Sequence, residues 1–236
     1  MTNNLQNEKG LSGNLIKIIA LITMTVDHLG LMLFPHQTIF RAVGRIAMPL
    51  FAYMIAEGCY YTRNKLRYFL SIFVLGALCQ VVFWFSYGTL QLSILMTFSL
   101  SIALIYCFDY LKRTQTAKSI ILTILCSITV LVLTVLLPKL LYDYKFSFDY
   151  GIQGVLIPVL VYLFKTKWQK LISVTAMLCW LSVISLLGAV QWFSLISVLI
   201  LATYNGKRGK LKLKYLFYVY YPLHISVIYL ISILIA

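Results

Sequence analysis

The sequence predicts an all-α fold: a polytopic integral membrane helical bundle of about nine transmembrane helices, with the N-terminus in the cytoplasm and the C-terminus outside. Three observations predict it. Of the 236 residues, 61% are hydrophobic and 11% are charged, with a mean hydropathy of +0.91, whereas soluble domains carry about twice that charged fraction. The apolar residues fall into runs, several of which reach the roughly 20 residues that cross a bilayer. The basic residues sit in the short gaps between runs and favour alternate gaps. The net charge of +14 is therefore a topology signal and implies no nucleic-acid partner.

The chain opens with a polar lead, residues 1–14, and the remainder, 15–236, reads as one transmembrane domain with no linker long enough to divide it. The first run, Leu15 to Phe34, superficially looks like a secretory leader. It is too long for one, holds Asp27 and His28 and lacks a small-residue cleavage site, so it is expected to remain as the first span. Pro35 and His36 break it, and a second run extends from about Ile39 to Tyr61, ended by Arg63, Lys65 and Arg67. Further runs lie at about Tyr68 to Ser86, Leu90 to Leu111, Ser119 to Leu137, Gly151 to Phe164, Leu171 to Leu187, Ala189 to Tyr204 and Tyr215 to the C-terminal residue. The sixth and eighth are short for a span, so tilt or a partly re-entrant path is expected there.

Sixteen of the 20 Lys and Arg residues fall on one set of alternate connections: Lys9 and Lys17, the Arg63 to Arg67 group, Lys112 to Lys118, Lys165 to Lys170 and Lys207 to Lys214. Arg41, Arg45, Lys139 and Lys145 are left on the other side. The positive-inside rule then sets the orientation. The five cysteines all lie within apolar runs, without zinc or disulfide spacing, and read as small hydrophobes.

An ionisable group within a span costs roughly 2.5 to 3.5 kcal/mol on insertion scales, so those that persist are informative. Asp27 and His28 are consecutive, and their side chains diverge by about 100° around a helix. Each needs its own partner. Arg41 and Arg45 are four apart, share one helix face and open the second run from the side nearer Asp27. Either can pair with Asp27, which leaves His28 to face an interior cavity.

Glu57 lies about 9 Å in from the cytoplasmic end of its run. It reads either as the partner of a basic residue from another span or as a polar group on a cytoplasmic access path. Asp149 and Tyr150 open the sixth run at the outer surface, where Gly151, Gly154 and Pro158 permit close approach and a kink. His224 sits about 13 Å into the last run, among Tyr220, Tyr221 and Pro222.

A lone histidine in an apolar helix is commonly a structural donor, but two in different spans, beside Asp27, Glu57 and two arginines in so charge-poor a core, mark a site. The sequence has no HExxH metal spacing, GxSxG elbow or Walker loop. Proton-coupled movement and base-assisted group transfer remain.

The runs LIKIIALITMTVDHLGLMLFP and FRAVGRIAMPLFAYMIAEGCYYTRNKLRYFL resemble the opening signature of the TraX family, named for the conjugal-transfer protein that acetylates the N-terminus of F-type pilin. DYGIQGVLIPVLVY and KYLFYVYYPLHISVIYL resemble its later signatures. The resemblance covers roughly half of the chain, and the stretch from Ser71 to Leu140 carries no recognisable motif. The family is considered related to membrane acyltransferases that include lysosomal heparan-α-glucosaminide N-acetyltransferase, in which a first-span histidine is catalytic.

The resemblance implies a multi-pass protein of the bacterial cytoplasmic membrane that takes acyl-CoA, such as acetyl-CoA, from the cytoplasm and needs no metal. The acceptor lies at the outer face: a peptide N-terminus, a sugar or a lipid. His28 matches the histidine expected to deprotonate the acceptor, and Asp27, Arg41, Arg45, Glu57, Asp149 and His224 match other polar positions of the family. Charge and geometry add that the phosphates of acyl-CoA belong at a basic inner rim, for which Arg63, Lys65 and Arg67 are candidates. Tyr221 or an arginine is the candidate donor to the thioester oxygen. The rival expectation from another class is a proton-coupled transporter or channel that uses the same histidines and carboxylates.

Overall fold

Helices that are apolar all round have no polar face to fix their ends, which are set instead by caps and prolines. The computed structural model describes residues 10–87, 90–185, 188–211 and 214–235. Most of the polar lead with Lys9, the Leu187 end of the seventh run, and Lys212 lie outside the described residues. Helix α1 (Gly13–Met32) starts behind Ser12, whose Oγ accepts from the Leu15 N–H at 3.4 Å, and ends before Pro35.

The second run, expected as one span, is divided at Arg45 and Ile46 into α2 (Thr38–Gly44) and α3 (Ala47–Tyr61). Pro49 accounts for the break: its ring clashes with the carbonyl four residues earlier, that of Arg45, and it has no N–H to offer. Next come α4 (Lys65–Tyr87), α5 (Ile94–Thr114) and α6 (Ala117–Leu131), the last opened by reciprocal bonds between Thr116 and Ser119. Pro138 disturbs the fifth run in the same way, so a π-helical stretch, Val132–Leu136, precedes α7 (Leu137–Leu140). Helix α8 (Gly151–Leu163) carries Pro158 inside it, and α9 (Lys167–Ile184) has a capping box of Thr166 and Gln169.

The eighth run is not one α-helix. It begins as a 3-10 helix, Gly188–Leu195, and continues as α10 (Ile196–Ala202). The steeper 3-10 rise lets these residues cover about 26 Å, against about 22 Å for the same length of α-helix. The last helix is α11 (Lys214–Ile235).

Among the described residues the predicted apolar runs are largely helical, and the all-α class holds apart from two paired dipeptides. Among the described residues, five helical stretches are long and apolar enough to cross a membrane: Gly13–Met32, Thr38–Tyr61, Ile94–Thr114, Ala117–Leu140 and Leu216–Ile235. The chain is a helical membrane protein.

The centre of the bundle is made by α1, α3, α5 and α8, whose Ile16, Leu50, Phe98, Ile102, Val155 and Ile157 are fully buried. Helix α11 packs on α1 and α4. Helix α6 rests on α5 at the margin and turns Ile121, Ile124, Leu125 and Ile128 outward, as a lipid-facing helix does. At the basic end of the bundle, Lys65 pairs with Asp109 to join α4 to α5, and Lys170 meets Glu57 at 2.8 Å to join α9 to α3. At the opposite end the dipeptides β1 (Gln91–Leu92) and β2 (Ser147–Phe148) pair in parallel, Gln91 beside Ser147 and Leu92 beside Phe148.

Two glycines let α2 lie against α1. A β-carbon at Gly30 would strike the Phe40 side chain, and one at Gly44 would fall within the Asp27 side chain. Alanine at position 44 is favoured intrinsically within a helix, yet it must force the helices apart. Gly44→Ala is expected to lower stability by about 1 to 3 kcal/mol, read as an earlier thermal unfolding transition in detergent. An unchanged transition would mean that α1 and α2 do not depend on this approach.

Candidate functional site

Asp27 is the hub of the charged groups. Arg45 Nη2 lies 2.7 Å from both of its carboxylate oxygens, and Arg41 Nη1 lies 2.9 Å from Oδ2. Both guanidiniums come from the break between α2 and α3, since Arg41 is in the last turn of α2 and Arg45 caps it. Arg45 is 5% exposed and is satisfied on three sides: by Asp27, by the Arg41 carbonyl at 3.3 Å through Nε, and by the Tyr150 hydroxyl at 2.9 Å through Nη1. One nitrogen, Nη2, thus faces both carboxylate oxygens while the others are satisfied separately, and it is this full use of its donors that lets the arginine persist in an apolar interior.

Tyr150 is held in an unusual backbone conformation. Its φ of 58° lies in the left-handed region, and Gly151 follows at 50°. A bulky residue there carries strain that its surroundings must offset. They do so through Arg45 at the hydroxyl and through Asp149, whose N–H donates to Leu92 O at 3.0 Å and whose carbonyl accepts from Thr97 Oγ1 at 2.9 Å. The dipeptide pairing of β1 with β2 thereby fixes the Asp149 and Tyr150 corner.

His28, one residue on from Asp27, turns to α11. Its Nδ1 lies 2.9 Å from His224 Nε2, and His224 Nδ1 lies 2.8 Å from the Tyr220 carbonyl. His224 is buried at 6% exposure, with the Tyr220 ring stacked on it at 5.2 Å and the Tyr221 ring edge-on at 5.7 Å. Thr25 and Tyr220 join the same two helices through their hydroxyls at 2.6 Å.

For neutral rings these contacts fix the tautomers. A carbonyl can only accept, so His224 donates through Nδ1 and accepts at Nε2. His28 must then carry its proton on Nδ1, which makes Nε2 the basic nitrogen.

Two adjacent spaces meet this group. A pocket of about 60 Å³ is lined by Met24, Asp27, His28, Asp149 and Tyr150 and shares Phe51, Ile94 and Tyr221 with a cavity of about 590 Å³. The larger space runs to the basic end, where Lys17, Arg67 and Arg208 line it. One stripe of α1 lines both: Asn14, Lys17 and Leu21 in the cavity, Met24 and His28 in the pocket. These positions recur at spacings of three and four, the repeat of a single helix face.

Of the other residues expected at the site, Glu57 lines the cavity and is held by Lys170 and, at 3.4 Å, by the Tyr204 hydroxyl. Tyr221 borders both spaces and Arg67 lines the larger one. Arg63 and Lys65 do not line it: Arg63 is exposed, and Lys65 is drawn off by Asp109 and lies 5.1 Å from the centre of the Tyr106 ring. Sequence reasoning missed Lys17 and Arg208 as cavity residues. Lys17 carried a signal, since it lies within α1 on the face that bears His28. Arg208, in a polar loop, carried none.

The TraX protein family model matches residues 12–232, including the stretch from Ser71 to Leu140 in which no motif is recognisable by eye. An uncharacterized protein of Rickettsia prowazekii (strain Madrid E) is 32% identical over 133 residues, 56% of this chain and 49% of that protein. A protein of Dichelobacter nodosus named "Probable fimbrial assembly protein FimC, serogroup H1" is 30% identical over 69 residues, 28% of each chain. The matched stretches thus cover half or less of the length of these curated relatives. No solved structure matches the chain significantly. With nearly its whole length matched by the family model, the chain belongs to the TraX family.

Proposed function

We propose that this protein is an integral-membrane acyltransferase of the bacterial cytoplasmic membrane. It moves an acetyl or other short acyl group from cytoplasmic acyl-CoA to an amine or hydroxyl at the outer face, with His28 as general base. The observation that carries this reading is the His28–His224 hydrogen bond at 2.9 Å, with His28 on the lining of the small pocket that adjoins the larger cavity. Membership of a family associated with pilin acetylation, and a relative named for fimbrial assembly, support it. They favour a peptide N-terminus as acceptor, with a sugar or a lipid as the other classes.

The reaction follows from the groups present. The acceptor approaches from the Asp149 and Tyr150 side and gives its N–H or O–H proton to His28 Nε2 as its heteroatom bonds to the thioester carbon. Charge on the thioester oxygen is met by a hydroxyl of the pocket. Tyr150 suits this role, because its oxygen already accepts from Arg45 and its own O–H remains to donate. Tyr221 is the second candidate. The C–S bond then breaks, and the proton held by His28 leaves with the thiolate as coenzyme A. His224 positions His28 and shares the imidazolium charge through Nε2, while Asp27 offsets one of the two arginine charges beside it and so lessens their opposition to that step.

His28→Ala is expected to keep the rise in melting temperature that coenzyme A gives the detergent-purified protein, and to lose thiol release from acetyl-CoA by about 100-fold or more. Release at the wild-type rate would remove His28 as the base. A rise with neither coenzyme A nor acetyl-CoA would favour the transporter reading.

Asp27→Asn leaves Arg45 buried without its counter-charge and should destabilise the protein by about 3 kcal/mol or more. The double variant Asp27→Asn with Arg45→Met should recover part of that loss in chemical unfolding. If the single variant were as stable as wild type, the pair would not be the clamp described here.

A further inference from the structure

The large cavity holds positive charge that the described residues do not balance. Its carboxylate, Glu57, is already held by Lys170 at 2.8 Å. Lys17, Arg67 and Arg208 remain as cations on its lining, set at the mouth of an otherwise mostly apolar space that contains Phe51, Leu95 and Phe98. Lys17 is half-buried, lies 5.8 Å from the centre of the Phe217 ring and is close enough to Arg208 for the two charges to repel. Arg67 and Arg208 are exposed, and the charge that costs stability in the ligand-free protein is that of the partly desolvated Lys17 beside Arg208. Such an arrangement is retained where an anion offsets it.

Arg208 is delivered to the mouth by a specific construction. The segment preceding α1 runs beside the loop from Thr203 to Leu211, with Leu11 N–H donating to Thr203 O at 2.9 Å, Gly13 N–H to Lys207 O at 2.8 Å and Asn14 N–H to Arg208 O at 2.9 Å. Asn14 Nδ2 adds a bond to Leu211 O at 2.6 Å. The loop is thus tied to the start of the helix that carries Lys17, and the two cations are held on one rim.

We propose that this rim is a phosphate-binding site, in which Lys17, Arg67 and Arg208 hold the phosphates of acyl-CoA while its slender arm follows the α1 stripe to His28. The proposal rests on the acyltransferase reading and replaces Arg63 and Lys65 as phosphate ligands. Lys17 and His28 are about 16 Å apart along α1, three turns that return to the same face. That separation suits a ligand whose charged head and reacting carbon are joined by a long unbranched arm. A lipid headgroup offers the same phosphate chemistry, and the test distinguishes the two.

The test uses the full-length protein in detergent, with coenzyme A and pantetheine as probes in calorimetry. The variants are Lys17→Met, which keeps the apolar stem, Arg208→Ala, and Lys112→Ala as an exposed cation elsewhere on the basic end. Lys17→Met and Arg208→Ala should each weaken coenzyme A by about 10-fold and leave pantetheine unchanged, and Lys112→Ala should match wild type. Lys17→Met should also raise the melting temperature of the ligand-free protein, because it removes a repulsion, so misfolding does not mimic the expected result.

Coenzyme A affinity equal in wild type, Lys17→Met and Arg208→Ala would overturn the phosphate site while leaving the acyltransferase reading intact. If wild type failed to bind coenzyme A but was stabilised by dioleoylphosphatidylglycerol in mixed micelles through Lys17, the rim would hold a lipid headgroup and the acyl-CoA reading would fall. Binding of neither probe would overturn both.

Discussion

An ionised side chain in an apolar bundle must be neutralised where it stands, because no water is at hand to solvate it. The contact of Asp27 with Arg45 and Arg41 meets that constraint, and much of the site follows from it. The carboxylate requires guanidiniums at close range, so α2 must approach α1, so positions 30 and 44 must be glycine. The guanidiniums must reach inward, so the second run breaks where Pro49 forces it to, and Arg45 is released from a continuous helix. The remaining donor of Arg45 then finds Tyr150 and helps to hold that residue in a backbone conformation it would not adopt alone.

The same helix turn separates charge from chemistry. Asp27 and His28 are adjacent in sequence but point to different neighbours, the first to α2 and the second to α11. Asp27 offsets part of the positive charge of Arg41 and Arg45, and His28 is left with the imidazole of His224, anchored in turn on a backbone carbonyl. Local order therefore comes from an ion pair on one side of α1 and from a directed hydrogen-bond chain on the other. A site assembled from α1, the α2–α3 break, the β2–α8 corner and α11 is held by both.

Much of this was legible in the residues, for physical reasons. Apolar runs and alternate basic gaps are long-range averages, robust to local detail, so the helical membrane class and the rough boundaries were readable. The need of Asp27 for Arg41 or Arg45 followed from the cost of leaving it alone, and the separate fate of His28 from the 100° step of a helix. The meeting of His28 with His224 was not readable, since it joins positions 196 residues apart through one side-chain contact. The break at Arg45 was encoded by Pro49 but masked by the uniform hydropathy around it. The nine runs were readable as helix, but the 3-10 start of the eighth depends on packing against α9 and α2, which no single stretch encodes. Lys17 was read only for its sign, and its place on the His28 face became informative once a cavity lay along that face.

The central claim is that His28 presents an unprotonated Nε2 because His224, fixed by the Tyr220 carbonyl, accepts a hydrogen bond from its Nδ1–H. Nitrogen-15 NMR of the histidine side chains in selectively labelled protein reads this directly. The account predicts that both His28 and His224 are neutral and protonated at Nδ1 at neutral pH, and that His224→Ala releases His28 to a mixture of tautomers. A His28 protonated at Nε2, or carrying both protons in the resting protein, would contradict it.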